Sequence, residues 1–252
     1  MSKNKLKKFA DMESFSCVLQ YPREALLAGG FPFRGKWKSD VFHSDGPITL
    51  ELGCGRGEYT VALAQSLPDR LFVGVDIKGA RMWTGASAVE KNNIPNARFL
   101  RCEIENIDNF FLPGEVDELW VTFPDPQMQK TRKRLTSTRF LSLYRKILRD
   151  NGVVNLKTDS PFLYEYTRRL VRLNGFEVLA ETDDLYGSGL ADEVSSIKTY
   201  YEQQWLSRGK KIKLISFRLP SGGDLAEPES DDIERDDYRA IPRPNIGELK
   251  DS

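Results

Sequence analysis

The run Glu51-Leu52-Gly53-Cys54-Gly55-Arg56-Gly57 constrains this chain more than any other part of it. It follows an apolar stretch, Pro47 to Leu50, and opens a segment with helical periodicity. A strand that ends in three alternating glycines and turns into a helix brings bare backbone close to a ligand. Glycine tolerates positive φ and has no Cβ to hold the ligand away. Such a turn predicts a doubly wound α/β domain that holds a nucleoside-bearing cofactor. The spacing here is G-x-G-x-G with an acid two residues before the first glycine, whereas the dinucleotide fingerprint is G-x-G-x-x-G. That difference favours S-adenosylmethionine over NAD. A carboxylate near a sulfonium is favourable, and the same carboxylate would repel a pyrophosphate.

The rest of the chain supplies the sheet that such a turn requires. Apolar runs predict strands at 48–52, 71–76, 97–101, 116–123, 152–157, 176–181 and 211–218, and helical periodicity predicts helices at 59–66, 80–92, 138–148 and 162–174. Strands alternating with helices at this spacing give a Rossmann-like α/β fold. The expectation is a doubly wound, mostly parallel seven-stranded sheet with helices on both faces. Residues 1–46 read as an N-terminal extension. Its basic start, Lys3, Lys5, Lys7 and Lys8, is expected to be flexible, and Phe31, Phe33 and Trp37 are expected to pack on the core. Residues 47–218 read as the cofactor domain. Residues 219–252 hold ten acids and four bases, and this acidic tail is expected to be disordered, either solubilising or competing with nucleic acid for a basic face.

Composition narrows the chemistry. No stretch approaches the ~20 apolar residues needed to span a membrane, so no membrane partner is expected. The basic N-terminus lacks an apolar core of the secretory type. Three scattered cysteines, Cys17, Cys54 and Cys102, form no C-x-x-C, which argues against a disulfide framework or a metal site and fits the cytoplasm. His43 is the single histidine and stands in a polar loop, where a surface role is expected.

Ligands of doubly wound sheets bind outside the carboxyl ends of the strands. Each of the first five predicted strands ends at an acid: Glu51 beside the glycine turn, Asp76, Glu103, Asp125 and Asp159. Asp76, about twenty residues beyond the turn, is suited to accept hydrogen bonds from a ribose diol. Glu103 is placed to receive an adenine amine, with Glu105 and Asp108 as competitors. In Phe123-Pro124-Asp125-Pro126 two prolines hold an acid stiffly, as either a strand-ending turn or a device that positions a methyl acceptor. Gln129 to Arg134 then places four bases in a run, with Arg168-Arg169-Arg172 and Arg208 to Lys211 as further basic patches. A charge run is also what a solvated face looks like; one beside the presumed site, with two more in the chain, suits a phosphate backbone.

These motifs together resemble the bacterial tRNA (guanine-N7-)-methyltransferase family. The resemblance covers about Ile48 to Arg218 and rests on E-L-G-C-G-R-G at 51–57, V-G-V-D-I at 73–77, F-P-D-P at 123–126 with its basic run, K-T-D at 157–159 and T-Y-Y-E at 199–202. It implies methyl transfer from S-adenosylmethionine to N7 of a guanine in the tRNA variable loop, conventionally position 46. It further implies that Glu51, Gly53, Gly55, Gly57, Asp76, Glu103 and Asp125 meet the cofactor, and that Asp125 is the catalytic acid. Gln129, Lys130, Asp159, Thr199, Tyr200, Tyr201 and Glu202 are implied to meet the tRNA, the last four by orienting or covering the guanine. The residues of 199–202 also read as a turn with a helix cap. Many members carry a tryptophan and a lysine where this chain has Gln127 and Gln129, so Lys130 or Lys133 is left to take over that contact. The resemblance is compatible with a monomer or a homodimer and requires no metal. Two other functions share the cofactor fold: methylation of a small molecule, and tRNA binding without turnover.

Overall fold

The computed structural model describes residues 3–237. Among the described residues eight strands form one sheet: β1 (Val18–Gln20), β2 (Ile48–Leu52), β3 (Leu71–Asp76), β4 (Ala97–Arg101), β5 (Val116–Thr122), β6 (Leu148–Thr158), β7 (Val178–Thr182) and β8 (Lys213–Leu219). Their order across the sheet is β1-β4-β3-β2-β5-β6-β8-β7. All neighbours are parallel except β8, which runs antiparallel to β6 and β7. The chain moves outward from β2 through β3 to β4, then crosses back to place β5 on the other side of β2. The switch in strand order therefore lies between β2 and β5, above the end of β2. All five residues of β2 are buried, as expected of a central parallel strand covered on both faces.

The helices are α1 (Lys3–Ser14), α2 (Arg23–Gly29), α3 (Glu58–Ser66), α4 (Gly79–Asn92), α5 (Thr138–Tyr144), α6 (Pro161–Leu173) and α7 (Tyr200–Leu206). Local chemistry sets several of their ends. Ser160 caps α6 by accepting the Leu163 N–H, and Pro161 occupies the first turn, where its missing donor costs nothing. The buried residues of α6, Phe162, Leu163, Tyr166, Thr167, Leu170 and Val171, form one stripe at helical spacing. Asn93 ends α4 in the left-handed region at φ 50°. Where the sequence predicts one helix over 138–148, α5 stops at Tyr144 because Leu148 is taken into β6 opposite Val116.

From Lys3 on, the N-terminal extension is built into the fold. Lys3–Ser14 is helix α1 and lies on α4, contrary to the flexible start expected from its lysines. Met12 is buried there, Trp83 donates to Asp11 at 2.9 Å, and the Lys8 ammonium sits over the Trp83 ring. Val18–Gln20 then adds an eighth strand beside β4. Trp37 is fully buried, stacks on Phe111 with centroids 4.7 Å apart, and donates its indole N–H to Phe110 O. Truncating a ring in such a cluster costs about 3–5 kcal/mol, so this extension contributes to the core rather than decorating it.

The acidic segment after β8 also departs from expectation. Residues 220–237 return across α5 and α6, and residues 238–252 lie outside the described part. Glu227 accepts from the Thr138 backbone and hydroxyl and from the Tyr166 hydroxyl. Asp232 forms a two-pronged ion pair with Arg169 at 2.8 and 3.0 Å. Asp236 accepts from Ser160 Oγ and the Phe162 N–H, and Ile233 is buried. Composition read the acids of this segment as a disordered tail; in the fold Glu227, Asp232 and Asp236 meet donors of α5 and α6.

Candidate active site

The glycine turn sits at the switch in strand order. Gly53, Gly55 and Gly57 all have positive φ, 77°, 54° and 71°. They serve two different purposes. A Cβ on Gly57 would lie 2.5 Å from the Phe99 ring and one on Gly85 would lie 2.9 Å from Gly57 Cα, so these two glycines let α3 and α4 close onto β4. Nothing lies within 4 Å of a Cβ built on Gly53, and on Gly55 only the Gly53 carbonyl at 3.9 Å. That side of the turn presents bare backbone to open space, as a bound nucleoside requires.

The acids divide into those that build the turn and those that face outward. Glu51 is buried. Its carboxylate accepts the Thr60 N–H and hydroxyl on one oxygen and the Thr122 hydroxyl, 2.7 Å away, on the other, so it ties β2 to α3 and β5. Burial pushes its carboxyl up to about 7. Asp76 accepts the Gly55 N–H at 2.9 Å and the Lys78 N–H at 2.7 Å, which fixes the turn against the end of β3. Glu103 is exposed at the exit of β4 and accepts from the Asn106 side chain. Glu105 is exposed as well and borders a cleft with Arg139, Ser142 and Lys146 of the α5 region.

Asp125 is exposed just beyond β5. Its Oδ1 accepts the Gln127 N–H at 3.0 Å, closing a turn in which Phe123 and Gln127 both take positive φ of 47°. Non-glycine residues in that region are strained and persist only where the surroundings impose them. Of the basic run that follows, Gln129, Lys130, Arg132 and Lys133 are exposed, while Arg134 is 1% exposed.

Across the rim, the segment 199–202 touches both loops. Thr199 caps α7 by accepting the Glu202 N–H. The Tyr200 N–H donates to Glu58 at 2.7 Å, and the Arg56 guanidinium lies over the Tyr200 ring at 5.3 Å. Tyr201 packs against Phe123 with centroids 5.5 Å apart. One tyrosine thus meets the glycine loop and the next meets the F-P-D-P loop.

Glu202 does not face the rim. It is fully buried, accepting from Lys157 Nζ at 2.9 Å and from the Tyr186 hydroxyl at 2.5 Å. The same lysine donates to the carbonyls of Ser195 at 2.7 Å and Ile197 at 2.8 Å. The implied part of Glu202 in orienting or covering the guanine is corrected by its burial: it anchors the segment that carries Tyr200 and Tyr201, while Thr199 is a half-buried helix cap, as the turn-and-cap reading of 199–202 has it. Asp159 is buried at the end of β6. Burial raises its carboxyl to about 6 against the opposing pull of Lys210 and Lys213. Sequence reading missed Arg56, Glu58, Lys157 and Tyr186. Lys157 alone left a local signal, a lysine that ends the predicted strand 152–157 and opens K-T-D.

Comparison with known proteins decides the family. Residues 45–215 match the profile of a family described as "Putative methyltransferase". A Bacteroides fragilis protein named tRNA (guanine-N(7)-)-methyltransferase is 53% identical over 252 residues, covering 100% of both chains. A Porphyromonas gingivalis protein of the same name is 56% identical, covering 92% of this chain and 96% of its own. The chain belongs to the tRNA (guanine-N(7)-)-methyltransferase family. Among solved structures, the 16S rRNA methyltransferase KamB is similar with a TM-score of 0.55 at 16% identity, covering 80% of this chain and 95% of its own, a likeness of fold. Among the described residues no group of His, Cys, Asp or Glu is arranged to hold a metal ion, and no helix is long and apolar enough to cross a membrane.

Proposed function

We propose that the protein transfers the methyl group of S-adenosylmethionine to N7 of guanine 46 in the variable loop of tRNA, in the cytoplasm. Full-length identity above one half to relatives named for this reaction carries the reading. The convergence of the glycine turn, the F-P-D-P loop and the T-Y-Y-E segment on one rim supports it.

The cofactor supplies a methyl carbon activated by a sulfonium. Guanine N7 has a lone pair and no proton, so the N7–C bond forms as the S–C bond breaks, with no base needed to strip N7. The single histidine, His43, is exposed and unneeded. The protein's task is alignment and charge. Gly53 and Gly55 leave room for the nucleoside, Asp76 and Glu103 offer carboxylate oxygens toward ribose and adenine, and Gly57 sets the close packing behind them. The purine becomes cationic as the methyl arrives, and the Asp125 carboxylate favours that charge. Tyr200 and Tyr201 border the guanine, Gln129 and Lys130 meet the tRNA beside Asp125, and Asp159 lies at the adjacent strand end.

Transfer of label from methyl-labelled S-adenosylmethionine to unmodified tRNA, mapped by N7-specific chain cleavage, tests the reading. Label at position 46, lost when that base is adenine, is the expected result. Label elsewhere in tRNA removes the position. tRNA binding without label identifies a silent binder, and label only in a metabolite identifies a small-molecule enzyme.

A pH effect follows from Glu51. A cation brought beside a carboxyl raised to about 7 favours the ionised form, so cofactor binding expels a proton. Affinity is expected to increase from pH ~6 to ~8 and then level off, and Glu51→Gln to abolish the slope. Calorimetry in buffers of different ionisation enthalpy counts the proton. The same shift has the opposite sign for the free protein. The native state holds the proton between about 4.5 and about 7 and the unfolded chain does not, so stability falls as pH rises through that window.

A further inference from the structure

The six-residue basic stretch after Asp125 reads as a uniform phosphate-binding run, but one of its members is turned inward. Arg134 is buried in a box of its own. Its guanidinium lies over the rings of Phe162 and Tyr166 of α6, at 4.8 and 4.4 Å. Nη1 donates to Ser230 Oγ at 3.0 Å in the C-terminal segment. The other two hydrogen bonds return to the loop: Nε to Gln127 O at 3.2 Å and Nη2 to Met128 O at 2.9 Å. Its three hydrogen bonds go to a hydroxyl and two carbonyls, and the carboxylates of Glu227 and Asp231 act on it through charge.

Gln127 is the link that matters. Its carbonyl is bound by Arg134 and its N–H is bound by Asp125, while its own backbone stands in the left-handed region. A glutamine gains nothing from that conformation by itself. A planar donor whose Nε and Nη2 fix two successive carbonyls holds the peptide in one orientation, and its face packs on two rings; lysine, a point donor on a flexible stem, has no rigid fork to impose that orientation. We propose that Arg134 is a positioning residue for methyl transfer: through Gln127 it aims Asp125 at the rim, and it does not contact tRNA phosphate. The proposal rests on the reading of Asp125 as the acid that acts on the guanine.

A double-mutant cycle separates the two. Arg134→Lys is expected to lower kcat by about 100-fold, the scale of a misplaced reacting group, while KM for tRNA stays within about threefold. In an Asp125→Asn background the same substitution should lower kcat by no more than about threefold, because the group it aims is already gone. General loss of stability would act equally in both backgrounds. Ser230→Ala, which removes one hydrogen bond and no wall of the box, should give a smaller fall in kcat, about threefold, and keeps the test open if Arg134→Lys does not fold. Unchanged kcat in both variants, or loss confined to KM for tRNA, overturns the proposal. A full effect of Arg134→Lys in the Asp125→Asn background also overturns it. If Asp125→Asn by itself leaves kcat unchanged, the reading of Asp125 fails first.

Discussion

Replacing Asp125 with asparagine is expected to lower the rate of methyl transfer to tRNA by about 10²- to 10³-fold, the cost of removing one charge-stabilising group from a transition state. Asparagine is the informative choice. Asp125 holds its loop by accepting the Gln127 N–H through Oδ1, and the amide oxygen of asparagine accepts the same bond. The turn therefore survives and only the negative charge is lost. Because Asp125 is exposed, thermal unfolding should be unaffected. Cofactor affinity, measured by calorimetry with the demethylated product, should weaken a few-fold at most, since the charge matters chiefly when the purine becomes cationic. A single-turnover rate equal to that of the native protein would remove Asp125 from the chemistry.

The contrast between Asp125 and its neighbours shows where sequence reading reaches its limit. The glycine turn and the acids at the strand ends were legible because their signal is local. Apolar runs mark the strands, and glycine at alternate positions marks a backbone that must bend. The seven core strands follow from the same pattern. The eighth, Val18–Gln20, did not show because three residues carry no period, and its pairing with β4 joins segments about eighty residues apart. Arg132, Lys133 and Arg134 look alike in the sequence, yet the first two are exposed and the third is buried. Only the arrival of Phe162, Tyr166 and Ser230 from other elements decides that. The acids of the C-terminal segment follow the same logic: their partners, Arg169, Thr138 and the start of α6, are brought to them by the fold. Lys157 and Glu202 are forty-five residues apart, so their pairing has no sequence periodicity to reveal it.

That pair gives the largest effect expected on stability. Lys157→Met leaves the Glu202 carboxylate fully buried with the Tyr186 hydroxyl as its remaining partner from the network, and strands the carbonyls of Ser195 and Ile197. Removing one member of a buried ion pair costs about 3–5 kcal/mol. In a chain of this size that corresponds to a fall in thermal midpoint on the order of 10 °C. Glu202→Gln should fall at the low end of that range, about 3 kcal/mol: the Lys157 ammonium loses its counter-charge but keeps both carbonyls and an amide oxygen to donate to. A double replacement, Lys157→Met with Glu202→Leu, removes both charges and should recover part of the loss, since two apolar groups avoid the penalty of an uncompensated ion. Activity should not recover with it. The lysine ties three points of the segment 195–202, and that segment carries Tyr200 onto the glycine loop and Tyr201 onto Phe123. Without the tie the folded protein keeps its cofactor turn and loses the fixed tyrosines, so kcat for tRNA should stay low in the double variant while cofactor affinity approaches that of the native protein. Recovery of both stability and turnover would show that the ion pair serves the fold alone.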